Sequence, residues 1–318
     1  MELVERMLSG SPRALSRLIT LVEQESRDIP EIMKAVYPRL GRAYSIGVTG
    51  PPGAGKSTLV DKLTASARRR DLSVGVIAAD PTSPFSGGAV LGDRIRMQQH
   101  YLDPKVFIRS MASRGSRGGL PTTTRNVMKL LDAFGKDIVL VETVGVGQTE
   151  LDVMETVDTT IVALVPEAGD TIQTMKAGLM EIADIFVVNK ADRPGADKMV
   201  SELETMLMLS PRTAQWQPPI VATQAVKDVG IEELYQSVER HQGYLQTSGE
   251  LAKRRQKQRK DEFLHAVEQR LRKRLWRLMQ ESDRLMALWE EVEKGSIDPY
   301  SAVDIMENEA VAQGWLPR

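Results

Sequence analysis

From residue 44 onward, short apolar runs alternate with longer amphipathic stretches. The runs are 46–48, 74–78, 106–108, 138–141, 160–165, 185–188 and 220–222. Each is continuous rather than alternating, which suits a strand buried on both faces. The stretches between them are long enough for crossover helices. Together they predict an α/β fold, a doubly wound and mostly parallel sheet, over residues 44–249. Ligands of such sheets sit at the carboxyl ends of the strands.

The flanks follow a different rule. Residues 1–43 predict a small helical cap. Ser11 followed by Pro12 is a helix start, and Leu15, Leu18, Ile19 and Val22 then share one helical face. From about residue 250 the strands stop, and residues 250–318 predict a helical arm. Leu271, Leu275 and Leu278, then Leu285, Leu288 and Val292, fall at helical spacing. Residues 251–280 carry eleven Lys or Arg against three acids, and residues 281–310 carry two against nine. The basic half reads first as a solvated helix face. It has no interleaved aromatic platform for bases, so no nucleic-acid partner is expected. A basic half followed by an acidic half also suits a dimerisation arm.

Composition narrows the classes. The 318 residues carry a formal net charge of −1, which disfavours a globally basic nucleic-acid binder. Cysteine is absent, so disulfides, Fe–S clusters, thiolate zinc sites and a cysteine nucleophile are excluded. The three histidines, His100, His241 and His265, are scattered. No apolar run reaches 18 residues, and the first residues lack an apolar signal core. A cytoplasmic chain with no membrane partner is expected.

The strongest local signal is Gly50, Pro51, Pro52, Gly53, Ala54, Gly55, Lys56, Ser57 and Thr58, which matches G-x-x-x-x-G-K-[ST]. It follows a predicted strand and opens a predicted helix over 58–69. The glycines let successive backbone N–H groups face phosphates, and the helix start adds a favourable dipole. Lys56 is placed to reach the β- and γ-phosphates, and the Ser57 hydroxyl to coordinate Mg²⁺.

Three further strand ends carry candidate chemistry. Asn189, Lys190, Ala191 and Asp192 follow an apolar run and match Asn-Lys-x-Asp. The Asp192 carboxylate can accept from N1–H and the exocyclic amine of guanine, a donor pair that adenine lacks. After the next run, Gln224, Ala225 and Val226 stand where a base-contacting loop is expected. Glu142 and Gly145 occupy the places of an Asp-x-x-Gly motif, with the acid near Mg²⁺ and the glycine N–H near the γ-phosphate. Val146 follows that glycine where small signalling GTPases have a water-orienting Gln, and the nearest Gln is Gln148. Slow intrinsic hydrolysis, raised by a partner, is the expectation. Asp80 ends another run as a metal- or water-positioning carboxylate. Asp93 follows a Gly-rich stretch over 86–92 that suggests a switch.

The strings GPPGAGKST, DPTSPFSGGAVLGDRIRM, ETVGVGQTE, PEAGDTIQTMKAG and NKAD together resemble the MeaB/ArgK family, over about residues 8–245. The resemblance implies a SIMIBI-type P-loop GTPase, usually a homodimer. It implies a chaperone that gates cofactor loading into an adenosylcobalamin-dependent acyl-CoA mutase of the methylmalonyl-CoA mutase type, and that protects or reactivates it. The cofactors would be GTP/GDP and Mg²⁺. Lys56, Asp80, Glu142 and Lys176 would be catalytic, and Ser57, Asp80, Asp93 and Glu142 would surround the metal. Residues 167–178, with Asp170, Gln173 and Lys176, would form an extra switch toward the partner. The chain has no Asp-x-His-x-x-Gly motif, so it is not itself the mutase. The competing readings are a metal-insertion GTPase, disfavoured by the absence of Cys, and a kinase-like regulator of amino-acid transport. For the latter, no His-Arg-Asp loop and no Asp-Phe-Gly is present.

Overall fold

In the computed structural model, residues 1–80, 97–112, 119–143, 145, 152, 154–166, 179–209 and 216–312 are described. They divide into two compact units, 1–256 and 257–318. The first unit opens with three helices, α1 (Glu2–Leu8), α2 (Pro12–Glu23) and α3 (Ile29–Val36). Ser11 caps α2, its hydroxyl accepting from the Ala14 N–H, with Pro12 in the first turn. Then come β1 (Tyr44–Thr49), α4 (Lys56–Arg69), β2 (Val74–Asp80), β3 (Val106–Ala112), α5 (Gly119–Ala133), β4 (Ile138–Glu142) and β5 (Thr159–Leu164). After them follow α6 (Leu179–Ile182), β6 (Ile185–Asn189), α7 (Ala196–Leu209), β7 (Ile220–Thr223) and α8 (Ile231–Thr247).

The seven strands form one sheet in the order β3-β2-β4-β1-β5-β6-β7, and every ladder is parallel. Both faces are covered, which is why the apolar runs are continuous. In β6, Ile185 and Val187 pack with Leu59, Leu63, Leu234 and Val238 of α4 and α8. Phe186 and Val188, on the other face, pack with Met199 and Leu203 of α7. The amino-terminal helices are part of this core. Leu15, Leu18, Ile19 and Val22 are buried with Ile77, Val139 and Val141 of the sheet and Val127, Leu130 and Leu131 of α5.

The amino ends of the strands carry a buried polar network. Asp158, just before β5, accepts the Ser45 N–H and hydroxyl at 2.9 Å each. Arg255 binds both its carboxylate oxygens, at 2.9 and 2.7 Å. Arg254 does the same to Asp184, before β6, at 2.9 and 3.0 Å. His241 of α8 lies in this network at 1% exposure. Its Nδ1 is 2.8 Å from Thr159 Oγ1 and its Nε2 is 3.4 Å from Asp184 Oδ1. Arg254 and Arg255 stand in the first turns of α9 (Glu250–Glu281).

In the second unit α9 is followed by α10 (Asp283–Glu293) and α11 (Pro299–Ala312). Helix α9 has no buried residue. Trp276 and Trp289 meet edge to face at 5.2 Å, tying α9 to α10. Among the described residues, no helix is long and apolar enough to cross a membrane.

Burial holds the His241 imidazole neutral and lowers its pKa from 6.5 to about 4. The unfolded chain therefore takes up this proton near pH 6.5 and the folded one only near pH 4. Stability from this group is complete above pH 6.5 and is lost as pH falls toward 4, by about 3 kcal/mol. We expect His241→Gln to flatten the acid limb of stability between pH 6.5 and 4. Denaturant midpoints at pH 7, 6 and 5 check this, and parallel curves for the two proteins would refute it.

Candidate functional site

The loop after β1 is shaped by two glycines. Gly50 has φ +145°, and a Cβ there would lie 2.0 Å from the Ala163 carbonyl oxygen of β5. Gly55 has φ +85°, and a Cβ there would lie 2.3 Å from Asn189 Nδ2. Backbone and a neighbouring amide occupy the space that any side chain would need. Gly55 is also the N-cap of α4, so the helix begins at Lys56 and its free N–H groups face the loop. Lys56 is 6% exposed and folds back over the loop. Its ammonium donates to the Gly50 and Pro51 carbonyls at 2.8 and 3.1 Å. Ala54 is fully buried, while Pro52 and Gly53 are exposed.

Ser57 and Glu142 meet at the centre. The Ser57 hydroxyl donates to Glu142 Oε1 at 2.6 Å, and both residues are buried. Register explains the meeting: β4 lies beside β1, with Glu142 opposite Val48. Glu142 therefore ends its strand at the level of the loop. Beyond it, Gly145 is held against β1, its carbonyl accepting from Thr49 Oγ1 at 3.0 Å. A buried hydroxyl beside a carboxylate is a hard-oxygen pair that fits Mg²⁺, which takes one or two carboxylates and leaves the remaining places to water and phosphate. Among the described residues, no three His, Asp or Glu gather to hold a metal without such help.

Asn189 closes the other side. It is 3% exposed at the end of β6. Its Nδ2 donates to the Ala54 carbonyl at 2.8 Å. Its Oδ1 accepts from Thr223 Oγ1 at 3.0 Å and from the Ala225 N–H at 3.1 Å. One amide thus joins the phosphate loop, β6 and the loop after β7. Lys190 turns the chain with φ +56°, and the Ala191 N–H bonds the Thr223 carbonyl at 3.0 Å. Asp192 stands at the rim and accepts from Lys227 Nζ at 3.0 Å. That hydrogen bond holds its carboxyl below the ordinary carboxylate range. Gln224 and Val229 bridge the base of the second loop, and Val226 is 82% exposed at its tip.

The structure brings together Gly50, Ala54, Gly55, Lys56, Ser57, Glu142, Gly145, Asn189 and Ala225. Asp80 ends β2, and its side chain lies outside the described residues, as do Asp93, Gln148, Asp170, Gln173 and Lys176. The sequence reading missed four contributors: Thr49, Thr143, Thr223 and Lys227. The threonines are β-branched and stand at or just past strand ends, so they read as strand termini. Their only signal was a hydroxyl at the carboxyl end of a strand, where ligands bind. Lys227 carried none, because its partner Asp192 is distant in sequence.

The family model described as methylmalonyl-CoA mutase-associated GTPase MeaB matches residues 15–280. A protein of Pyrococcus abyssi named as a GTPase is 50% identical, over 98% of this chain and 97% of that one. The mitochondrial methylmalonic aciduria type A homolog of Mus musculus is 30% identical, over 94% of this chain and 77% of its own. The crystal structure of a LAO/AO transport system kinase superposes with a TM-score of 0.71 at 28% identity, covering 96% of both chains. With its parallel sheet and phosphate loop, the chain belongs to the MeaB family and is a P-loop GTPase.

Proposed function

We propose that this GTPase is a chaperone whose nucleotide state gates cofactor loading into an adenosylcobalamin-dependent acyl-CoA mutase, and protects or reactivates that enzyme. The observation that carries the nucleotide half is the Asn189 junction, which fixes the phosphate loop and the base loop in one frame. The mutase half takes its support from the family.

Lys56 exchanges its carbonyl contacts for the β- and γ-phosphates, and the helix start at residue 56 adds its N–H groups. Asn189, Lys190 and Asp192 hold guanine, with the backbone of Gln224, Ala225 and Val226 beside the base. Ser57 and Glu142 would hold Mg²⁺, with Asp80 and Asp93 completing the carboxylate set, and the ion would supply positive charge against the phosphates. Gly145 offers its N–H to the γ-phosphate. Water attacks the γ-phosphorus, the bond to the β-phosphate oxygen breaks, and GDP and inorganic phosphate leave. Val146 supplies no group to orient that water, so the step is slow until a partner acts. Lys176, Asp170 and Gln173 face that role by family position. The chain works in the cytoplasm as a homodimer, its basic α9 opposite the acidic α10 and α11 of a second copy.

The name of the LAO/AO transport system kinase supports a second reading, regulation of amino-acid transport. The absence of the protein-kinase motifs disfavours it, as the absence of cysteine disfavours metal insertion.

Turnover of GTP and ATP, alone and with candidate cobalamin mutases, tests the proposal. GTP should turn over slowly alone and several-fold faster with the right mutase, ATP should stay at background, and Lys56→Ala should abolish turnover. Indifference to every mutase would sink the chaperone role and leave the GTPase standing. Asp192→Asn should weaken GDP binding about tenfold to a hundredfold, since an amide N–H would replace one acceptor and leave a guanine N–H unsatisfied, at about 1–3 kcal/mol. An unchanged GDP affinity would remove Asp192 from the base site. Ending the chain after Gln256 keeps the Arg254 and Arg255 contacts and removes the rest of the arm. Sedimentation should then show a monomer, and a persisting dimer would refute the dimerisation role of the arm.

A further inference from the structure

Two buried hydroxyls converge on Gly145, and the nucleotide chemistry above uses neither. Thr49 is the last residue of β1 and fully buried, and Thr143 follows β4 at 1% exposure. Thr143 Oγ1 lies 2.9 Å from Thr49 Oγ1 and 3.2 Å from the Gly145 carbonyl oxygen. Thr49 Oγ1 lies 3.0 Å from that same oxygen. Each hydroxyl has one hydrogen to give. One ordering satisfies both: Thr143 donates to Thr49, and Thr49 donates to the carbonyl. The inner end of this relay is one residue before Gly50, where the phosphate loop begins.

The Gly145 carbonyl belongs to the planar peptide that leads to residue 146. Fixing its oxygen fixes the direction in which the chain leaves Gly145. The backbone of Thr143 is pinned as well, its N–H donating to the Val48 carbonyl at 3.1 Å. Thr143 and Gly145 are therefore each held against the last residues of β1. A Cβ built on Gly145 meets no heavy atom of a described residue within 4 Å, and its φ is not left-handed. Packing among the described residues does not demand glycine there. Valine would fill either threonine position with the same shape. The two oxygens are what distinguishes the residues present.

We propose that Thr49 and Thr143 are positioning residues for GTP hydrolysis, their hydroxyl relay holding Gly145 against the start of the phosphate loop in the orientation that meets the γ-phosphate. The proposal rests on the nucleotide site described above. It assigns the relay to the hydrolytic step rather than to nucleotide retention, because GDP has no γ-phosphate for Gly145 to meet.

The test compares Thr49→Val, Thr143→Val, the double variant, and Thr49→Ser and Thr143→Ser, in the full chain. Single-turnover GTP hydrolysis, GDP affinity and thermal midpoint are read on each. Either valine should slow hydrolysis about tenfold or more, since a misplacement of about 1 Å can cost about a hundredfold. The double variant should be no slower than the worse single, because the relay acts as one unit. GDP affinity should stay within about threefold, and serine should restore the rate, since it returns the donor. Valine variants that hydrolyse GTP at the wild-type rate would overturn the proposal. So would a rate loss matched by an equal loss of GDP affinity, or one that serine fails to rescue. Should Thr49→Val not fold, Thr143→Val, which removes only the outer hydroxyl, decides alone. Lys56→Ala separates the two layers: if it still hydrolyses GTP, the site itself is misassigned, whatever the threonines do.

Discussion

A single buried amide holds the nucleotide site in one piece. Asn189 spends its donor on the Ala54 carbonyl and its acceptor on Thr223 and Ala225. An amide offers both roles from two separate atoms of one short side chain. Aspartate would lose the donor, and leucine would leave three buried groups unpaired, each at about 1–3 kcal/mol. The junction also explains a glycine. Gly55 must lack a Cβ because the Asn189 amide lies where it would be. The phosphate loop and the Asn-Lys-x-Asp stretch, far apart in sequence, are thus sterically coupled.

That amide can be placed because β6 is immobilised along its length. Ile185, Phe186, Val187 and Val188 are fully buried, facing two different helix layers. At the opposite end of the same strands, Asp158 and Asp184 are engaged by Arg255 and Arg254. Buried ion pairs add little net stability against an apolar alternative, but removing one partner is costly, about 3–5 kcal/mol. Their service here is geometric. They fix where the first turns of α9 join the sheet, just as Asn189 fixes the loops at the other end.

Seven apolar runs in the sequence became seven strands, and the helix start at Ser11 stands where residue chemistry put it, while the helix expected from residue 58 begins two residues earlier, at Lys56. Four misplaced strand ends share one physical cause. Hydrophobicity reports where a strand is buried, while ladder hydrogen bonds continue to its end. Apolar runs ending at 48, 141, 188 and 222 extend one residue further, to Thr49, Glu142, Asn189 and Thr223. Those four residues are the ones that face the site. β3 ran past its apolar start because Arg109, on this edge strand, pairs with Glu23 and Thr20 of α2 instead of entering the core. Lys227 and the threonine relay were illegible because their meaning lies in contacts between segments distant in sequence.

The groups assigned to the ligand all have partners within the protein. Lys56 rests on two carbonyls, Ser57 on Glu142, and Asp192 on Lys227. Binding therefore exchanges hydrogen bonds rather than stripping water from bare charges, and an exchange of like bonds contributes little net energy. The net gain must come where the new partner is better than the old. For Lys56 that gain is large, since phosphate oxygen replaces neutral carbonyl oxygen and charge-assisted bonds are roughly twice as strong. For Asp192 it is small, since an exposed ammonium gives way to two neutral donors. The phosphate side should therefore dominate affinity, and the base side should act mainly by excluding purines that leave Asp192 without its donor pair. Affinity and selectivity are then set by different loops, held in one frame by Asn189.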